Sequence, residues 1–93
     1  MDDKRIEIEA WFSGKVQGVG FRYETLKIAR GYEVTGFVEN LADGRVHLLA
    51  QGSRREAGAF LAAVEESLSD FIRDTGRSER PAEKTLAEFR IRR

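Results

Sequence analysis

The sequence predicts an α/β (α+β) sandwich, an antiparallel sheet of four or five strands with two helices on one face. Three observations carry this. Residues 5–12 and 45–51 alternate apolar and polar side chains with a period of two, as half-buried strands do. Ala57, Phe60, Leu61, Val64 and Leu68 recur at helical spacing. Between and beyond them, turn and cap signals divide the chain into an alternating series of strands and helices.

In the first strand Ile6, Ile8, Ala10 and Phe12 form the dry face and Arg5, Glu7, Glu9 and Trp11 the wetter one. Trp11 reads there as packing or edge cover and not as a binding group. Ser13-Gly14 ends the strand and opens a stretch holding three glycines, Gly14 to Gly20. Phe21 to Arg30 contains good helix formers, with Leu26, Ile28 and Ala29 toward the core and Gly31 placed to cap the C-terminus. A second strand from about Val34 to Asn40 runs into Leu41-Ala42-Asp43-Gly44, whose Asp-Gly pair signals a tight hairpin. The third strand, about Arg45 to Gln51, turns Val46, Leu48 and Ala50 to one face before Gly52 breaks it. Ser53-Arg54-Arg55-Glu56 is a capping box, the clearest helix start in the chain, and its helix reaches about Ser69. Phe71-Ile72-Arg73 reads as a short strand, residues 74–84 as a charged loop, and Leu86 to Arg92 as a last strand with Phe89 and Ile91 inward. The order β-α-β-β-α-β, with a fifth strand admitted, is the ferredoxin-like, split-βαβ plan.

Composition limits what such a chain can do. Ninety-three residues suit one domain spanning 1–93, within the usual range of roughly 50–250. A hydrophobic share of 41% with six Phe supports a real core and excludes a disordered chain. Sixteen basic residues cancel sixteen acidic ones, which argues against a nucleic-acid partner, since such binding needs a net or clustered basic field. Without cysteine there is no disulfide, thiol nucleophile or thiolate metal site, and a single His leaves little for a metal cluster. The start Met1-Asp2-Asp3-Lys4-Arg5 carries no apolar signal segment, and no apolar run nears the roughly 18 residues of a membrane span. The expectation is a cytoplasmic, soluble monomer without a membrane partner.

The glycine loop holds the chemistry. Gly18-Val19-Gly20 begins a dinucleotide fingerprint, but Tyr23 occupies the position of its third glycine, and no Gly-Lys-Ser/Thr follows to make a P-loop. An RNA-recognition sheet shares the element order, yet Arg45-Val46-His47-Leu48-Leu49-Ala50 lacks the aromatics such a sheet stacks on bases. What remains is a strand, a glycine turn and a helix whose first turn carries Arg22. Glycines let successive N–H groups converge on one point, the helix N-terminus adds partial positive charge, and Arg22 offers a forked donor. That combination suits an anion. The alternative is a loop that only turns the chain, with Arg22 solvated.

Two longer strings bear on this choice. Gly14-Lys15-Val16-Gln17-Gly18-Val19-Gly20-Phe21-Arg22, followed by Gly36-Phe37-Val38-Glu39-Asn40-Leu41-Ala42-Asp43-Gly44-Arg45-Val46, closely resembles the two signature segments of the acylphosphatase family, at the family's spacing and with Ala29 matching between them. The resemblance runs without a gap from about Ile6 through Gly52 and continues, more weakly, to Phe89-Arg90-Ile91-Arg92. It implies a hydrolase that cleaves acyl phosphates to carboxylate and inorganic phosphate. Arg22 would hold the phosphoryl group and Asn40 would orient water. The backbone amides of Gln17, Gly18, Val19, Gly20, Phe21 and Arg22 would cradle the anion. The substrate would be a small acyl phosphate, inorganic phosphate would be both product and inhibitor, and neither metal nor cofactor would be needed. A catalytically weak phosphate-binding module of the same fold is the alternative.

The residues suit that chemistry. A carboxylate leaves as the conjugate base of an acid of pKa about 4, so no general acid is required, whereas a phosphate monoester would need one. His47 reads as a surface residue and Asp43 as part of the hairpin turn. The sequence departs from the family pattern at Glu39, a negative charge beside the expected site that would weaken anion attraction. It departs also at Arg93, where many members end in Tyr, and across Phe71 to Glu83.

Overall fold

A computed structural model describes residues 4–93. Seven elements follow one another: β1 (Arg5–Gly14), α1 (Phe21–Ala29), β2 (Thr35–Asn40), β3 (Val46–Ser53), α2 (Arg54–Ser67), β4 (Ile72–Pro81) and β5 (Phe89–Ile91). They build a five-stranded sheet in the order β4-β1-β3-β2-β5.

Both helices cover one face of this sheet, as the apolar alternation requires. Ile6, Ile8, Ala10 and Phe12 of β1, Val38 of β2 and Val46, Leu48 and Ala50 of β3 meet Phe21 and Ala29 of α1 and Ala57, Phe60, Leu61 and Val64 of α2 in one buried core. At about 25 cal/mol per Å² of apolar surface, this cluster is the main force holding helices to sheet. The α2 cap is half of the expected box. Ser53 Oγ accepts from the Glu56 N–H at 3.1 Å, while Glu56 Oε1 accepts from the Glu33 N–H at 2.8 Å and so ties α2 to the approach to β2. Helix α1 closes at Arg30, and Gly31 does not take the left-handed conformation expected of a glycine cap.

Two further expectations, both of the sheet, fail. The sheet is mixed and not antiparallel throughout, because β5 pairs parallel to β2. β4 runs antiparallel to β1 at one edge, so the chain leaves β4 at the end of the sheet where β1 begins. Residues 82–88 then cross to the far edge, and the last strand can only run back alongside β2. Gln51, 1% exposed although it points away from the helices, holds this crossing: it donates to Lys84 O at 2.6 Å and accepts from the Leu86 N–H at 3.0 Å.

The second failure is the charged loop assigned to residues 74–84. Most of it is β4, paired with β1 from Gly14↔Ile72 to Ile6↔Pro81. Every residue of β4 after Ile72 is exposed, so no apolar alternation could mark it in the sequence. Its ladder is backbone hydrogen bonding reinforced by Arg80, which pairs with Glu7 and, at 2.9 Å, with Glu9. Charged side chains and a terminal proline are how an exposed edge avoids pairing with another chain.

What this arrangement does for function follows from strand direction. β1 and β2 are both antiparallel to β3, which lies between them. Their C-terminal ends therefore share one edge of the sheet. The glycine loop leaves the first and Asn40 closes the second.

Candidate active site

The loop from Lys15 to Gly20 begins where the Lys15 N–H donates to Phe71 O at 2.9 Å. Val16, fully buried, pins it to the core. Gly18 and Gly20 have φ of 80° and 82°, and a Cβ on either would meet nothing within 4 Å. Glycine is demanded there by backbone conformation and not by crowding. The left-handed turn at Gly20 is also the N-cap of α1; no side chain caps the helix, and the first amide satisfied is that of Glu24, which donates to Gly20 O at 3.0 Å. The N–H groups of Gln17, Gly18, Val19, Gly20, Phe21, Arg22 and Tyr23 donate to no acceptor among the described residues. These are the donors a helix start leaves open, extended backward by the glycine turns.

A cavity of about 190 Å³ lies over them, lined by Val16, Gly18, Gly20, Phe21, Arg22, Tyr23 and Asn40. The structure thus brings together Arg22 and Asn40, which are 18 positions apart, with the loop between β1 and α1. Gln17 and Val19 belong to the same loop but do not line the cavity. Val16 and Tyr23 do line it, and neither is a candidate by sequence; the lone large apolar residue among the loop's first glycines was the available signal for Val16. Arg22 is half-buried and makes no ion pair or side-chain hydrogen bond among the described residues. Asn40 Oδ1 is buried with no hydrogen-bond partner among the described residues.

The nearby ionisable groups are occupied elsewhere. Glu39 faces the opposite side of the sheet from Asn40, as the strand period requires. There it accepts from His47 Nδ1 at 2.7 Å and sits 3.6 Å from the Arg92 guanidinium, so it adds no bare negative charge to the cavity. His47, expected on the surface, is largely covered. Its Nε2 meets Glu9 at 2.7 Å, and its ring lies between Trp11, stacked with centroids 5.3 Å apart, and the edge of Phe37. Trp11 is therefore packing. Asp43 belongs to the turn: the Arg45 N–H donates to its Oδ1 at 3.1 Å. That bond, followed by those of the Arg45 guanidinium, holds the Asp43 carboxyl below the usual carboxylate range. Neither His47 nor Asp43 is placed to transfer protons at the cavity.

Fold and loop together define an α+β sandwich with a strand–glycine loop–helix turn at the end of its sheet, its amides without acceptors among the described residues. Comparison with known proteins narrows the class. Residues 8–91 match the sequence profile of the family described as Acylphosphatase. An acylphosphatase of Archaeoglobus fulgidus is 49% identical over 59 residues, covering 63% of this chain and 66% of that one. An acylphosphatase of Mycolicibacterium smegmatis is 39% identical over 82 residues, covering 88% and 74%. The matches to the first sequence relatives span about two thirds of their length. In three dimensions the crystal structure of acylphosphatase from Bacillus subtilis superposes with a TM-score of 0.84 at 29% identity, covering 95% of this chain and 99% of that one. The chain belongs to the acylphosphatase family, and its fold is the ferredoxin-like one of that family's solved members.

Proposed function

We propose that the chain hydrolyses acyl phosphates to a carboxylate and inorganic phosphate, with Arg22 binding the phosphoryl group and Asn40 orienting the attacking water. The observation that carries this reading is the meeting, in one small cavity, of backbone amides, a guanidinium and a buried amide oxygen that have no partners among the described residues.

The amides of the loop and of the first turn of α1 take the equatorial phosphoryl oxygens, with the helix N-terminus adding its partial positive charge. Arg22 supplies two parallel N–H donors to the same group. Asn40 Oδ1 accepts a hydrogen bond from water and fixes its oxygen for in-line attack on phosphorus. As the water oxygen bonds to phosphorus, the bond from phosphorus to the acyl oxygen breaks and its electron pair leaves with the carboxylate. The proton lost by water passes to phosphate or solvent. Phosphoryl transfer of this kind is positioning plus charge stabilisation. Arg22 and the amides balance the phosphoryl charge themselves, so the reaction calls for no metal.

Such a site has no acid to protonate an alkoxide. It should cleave acetyl phosphate and leave a phosphate monoester almost untouched. Phosphate release from the two, side by side and in the presence of chelator, tests this. No release from acetyl phosphate, or equal release from both, would refute the proposal.

A further inference from the structure

Gln17 enters the cradle through its backbone, but its side chain makes a separate connection. The Nε2 amide donates to Leu41 O at 2.8 Å and to Arg45 O at 3.0 Å, the carbonyls at the two ends of the turn joining β2 to β3. Both partners are acceptors, so only the NH2 end of the amide can face them, one N–H to each. We propose that Gln17 is a positioning residue for the hydrolysis: its side chain sets where Asn40 stands relative to the phosphate cradle. This rests on the function proposed above.

The turn does not need Gln17 to keep its own shape. The Leu41 N–H donates to Arg45 O at 2.8 Å and the Gly44 N–H to Leu41 O at 3.1 Å. Asp43 clasps Arg45 through the Arg45 N–H at 3.1 Å and Nε at 3.0 Å. Each carbonyl thus spends one lone pair inside the turn and offers the other to Gln17. What the fork fixes is the position of a self-sufficient turn against the loop at residues 15–20.

That position bears directly on Asn40. The turn starts at Leu41, the next residue in the chain. The β1–β3 ladder ends at Phe12↔Val46 and the β2–β3 ladder at Asn40↔Val46, so both strands part from β3 at the same level. Beyond it, among the described residues, no other hydrogen bond joins residues 15–20 to residues 40–45. The residue that opens the cradle therefore also holds the turn adjoining the water-orienting residue. A displacement of order 1 Å between reacting groups can cost about 10²-fold in rate, so a tether at this point acts on turnover far more than on stability. The side chain is exposed and covers no core, and truncating it leaves the Gln17 backbone N–H in the cradle.

The test is a double-mutant cycle on acetyl phosphate hydrolysis, with competitive inhibition by inorganic phosphate measured on every variant. Gln17→Met keeps the length of the side chain and removes both donors. It should lower kcat about tenfold while the phosphate inhibition constant stays within about twofold and the melting temperature hardly moves. In an Asn40→Ala background the same change should cost less than about twofold, because a positioning residue has nothing left to position. A tenfold loss repeated in full in that background overturns the proposal, as does phosphate inhibition weakening in step with kcat. Failure of the wild-type chain to hydrolyse acetyl phosphate would refute the proposed function and this role with it. An active wild type with multiplicative losses would refute this role alone.

Discussion

Asn40→Ala should separate turnover from binding, and the structure sets its size. Asn40 Oδ1 accepts from no donor among the described residues, and in the proposed mechanism its hydrogen bond goes to water. Alanine therefore breaks no hydrogen bond made within the described residues, and stability should change by less than about 1 kcal/mol. For a chain of this size each kcal/mol moves the melting temperature by roughly 4–8 °C. Catalysis should respond strongly. The water that Asn40 holds bonds to phosphorus only in the transition state, so losing its orientation should lower kcat by about 10²-fold, or about 3 kcal/mol, with phosphate still bound. Arg22→Ala should behave differently. It removes two charge-assisted bonds, of about 1.5–3 kcal/mol each, that exist in ground and transition states alike. Phosphate affinity and turnover should then fall together by at least about 10²-fold. Arg22→Lys should recover little, since a point charge does not reproduce the fork. Steady-state kinetics, phosphate inhibition and thermal melts on the three variants decide the matter. Loss of phosphate binding in Asn40→Ala with binding intact in Arg22→Ala would refute the division of roles, and a markedly destabilised Asn40→Ala would refute the account of its oxygen.

Inorganic phosphate should stabilise the fold by mass action, by about 2.7 kcal/mol at 100 times its Kd, which thermal melts would show as a rise of roughly 10–20 °C; no rise at high phosphate would count against the cradle. Glu39→Gln should leave kcat and phosphate inhibition within about twofold, because Glu39 lies across the sheet from the cavity and is already paired; a clear gain in phosphate affinity would show that its charge does reach the site. Burial pushes the Glu9 carboxyl up, but the hydrogen bonds from His47 and Arg80 outweigh it and hold the group below its ordinary value of 4.5. The unfolded chain therefore takes up this proton first on acidification. The stability Glu9 contributes is complete above that ordinary value and is lost as pH falls through the lower folded one. Melts of wild type and Glu9→Gln over roughly pH 6 to 3 should converge at the acid end, and parallel curves would remove Glu9 from the acid transition.

The legible parts of this chain are those where a physical period or a cap writes itself into local sequence. The alternation of Ile6 to Phe12 and of Val46 to Ala50, the spacing from Ala57 to Leu68 and the cap at Ser53 each report one buried face, and each was found where expected. β4 was invisible because both its faces are wet: its pairing is backbone and ion pair, and neither leaves a hydrophobic pattern. The direction of β5 was equally hidden, since a three-residue strand carries no sign of which neighbour it joins or how. The glycine loop and Arg22 could be read because φ above zero and a forked cation are properties of residue types. The side-chain role of Gln17 could not, because its two acceptors are main-chain carbonyls, which every sequence has; only the fold aims them at one amide.

Net neutrality hides a sorting of charge that the fold carries out. Equal numbers of acids and bases argue against a broad basic field for nucleic acid, and by sequence Glu39 stands beside the loop as a charge that would weaken anion attraction. In the folded chain Glu7 and Glu9 are paired to Arg80, Glu39 to His47 and Arg92, Asp43 to Arg45, and Glu79 to Arg54 at 2.8 Å. Much of this pairing lies on the sheet face away from the helices or along its β4 edge, where His47, Trp11, Phe37 and Arg92 also stack. Among the described residues Arg22 is left out of it, half-buried at a helix N-terminus whose amides likewise find no acceptor. Unit charges about 4 Å apart interact by about 1 kcal/mol in water and about 4 kcal/mol near a protein surface, so one unpaired guanidinium in a small cavity outweighs many exposed pairs for a bound phosphoryl group. Attraction at this site is therefore local. It should depend on Arg22 and the loop amides, and little on the chain's total charge.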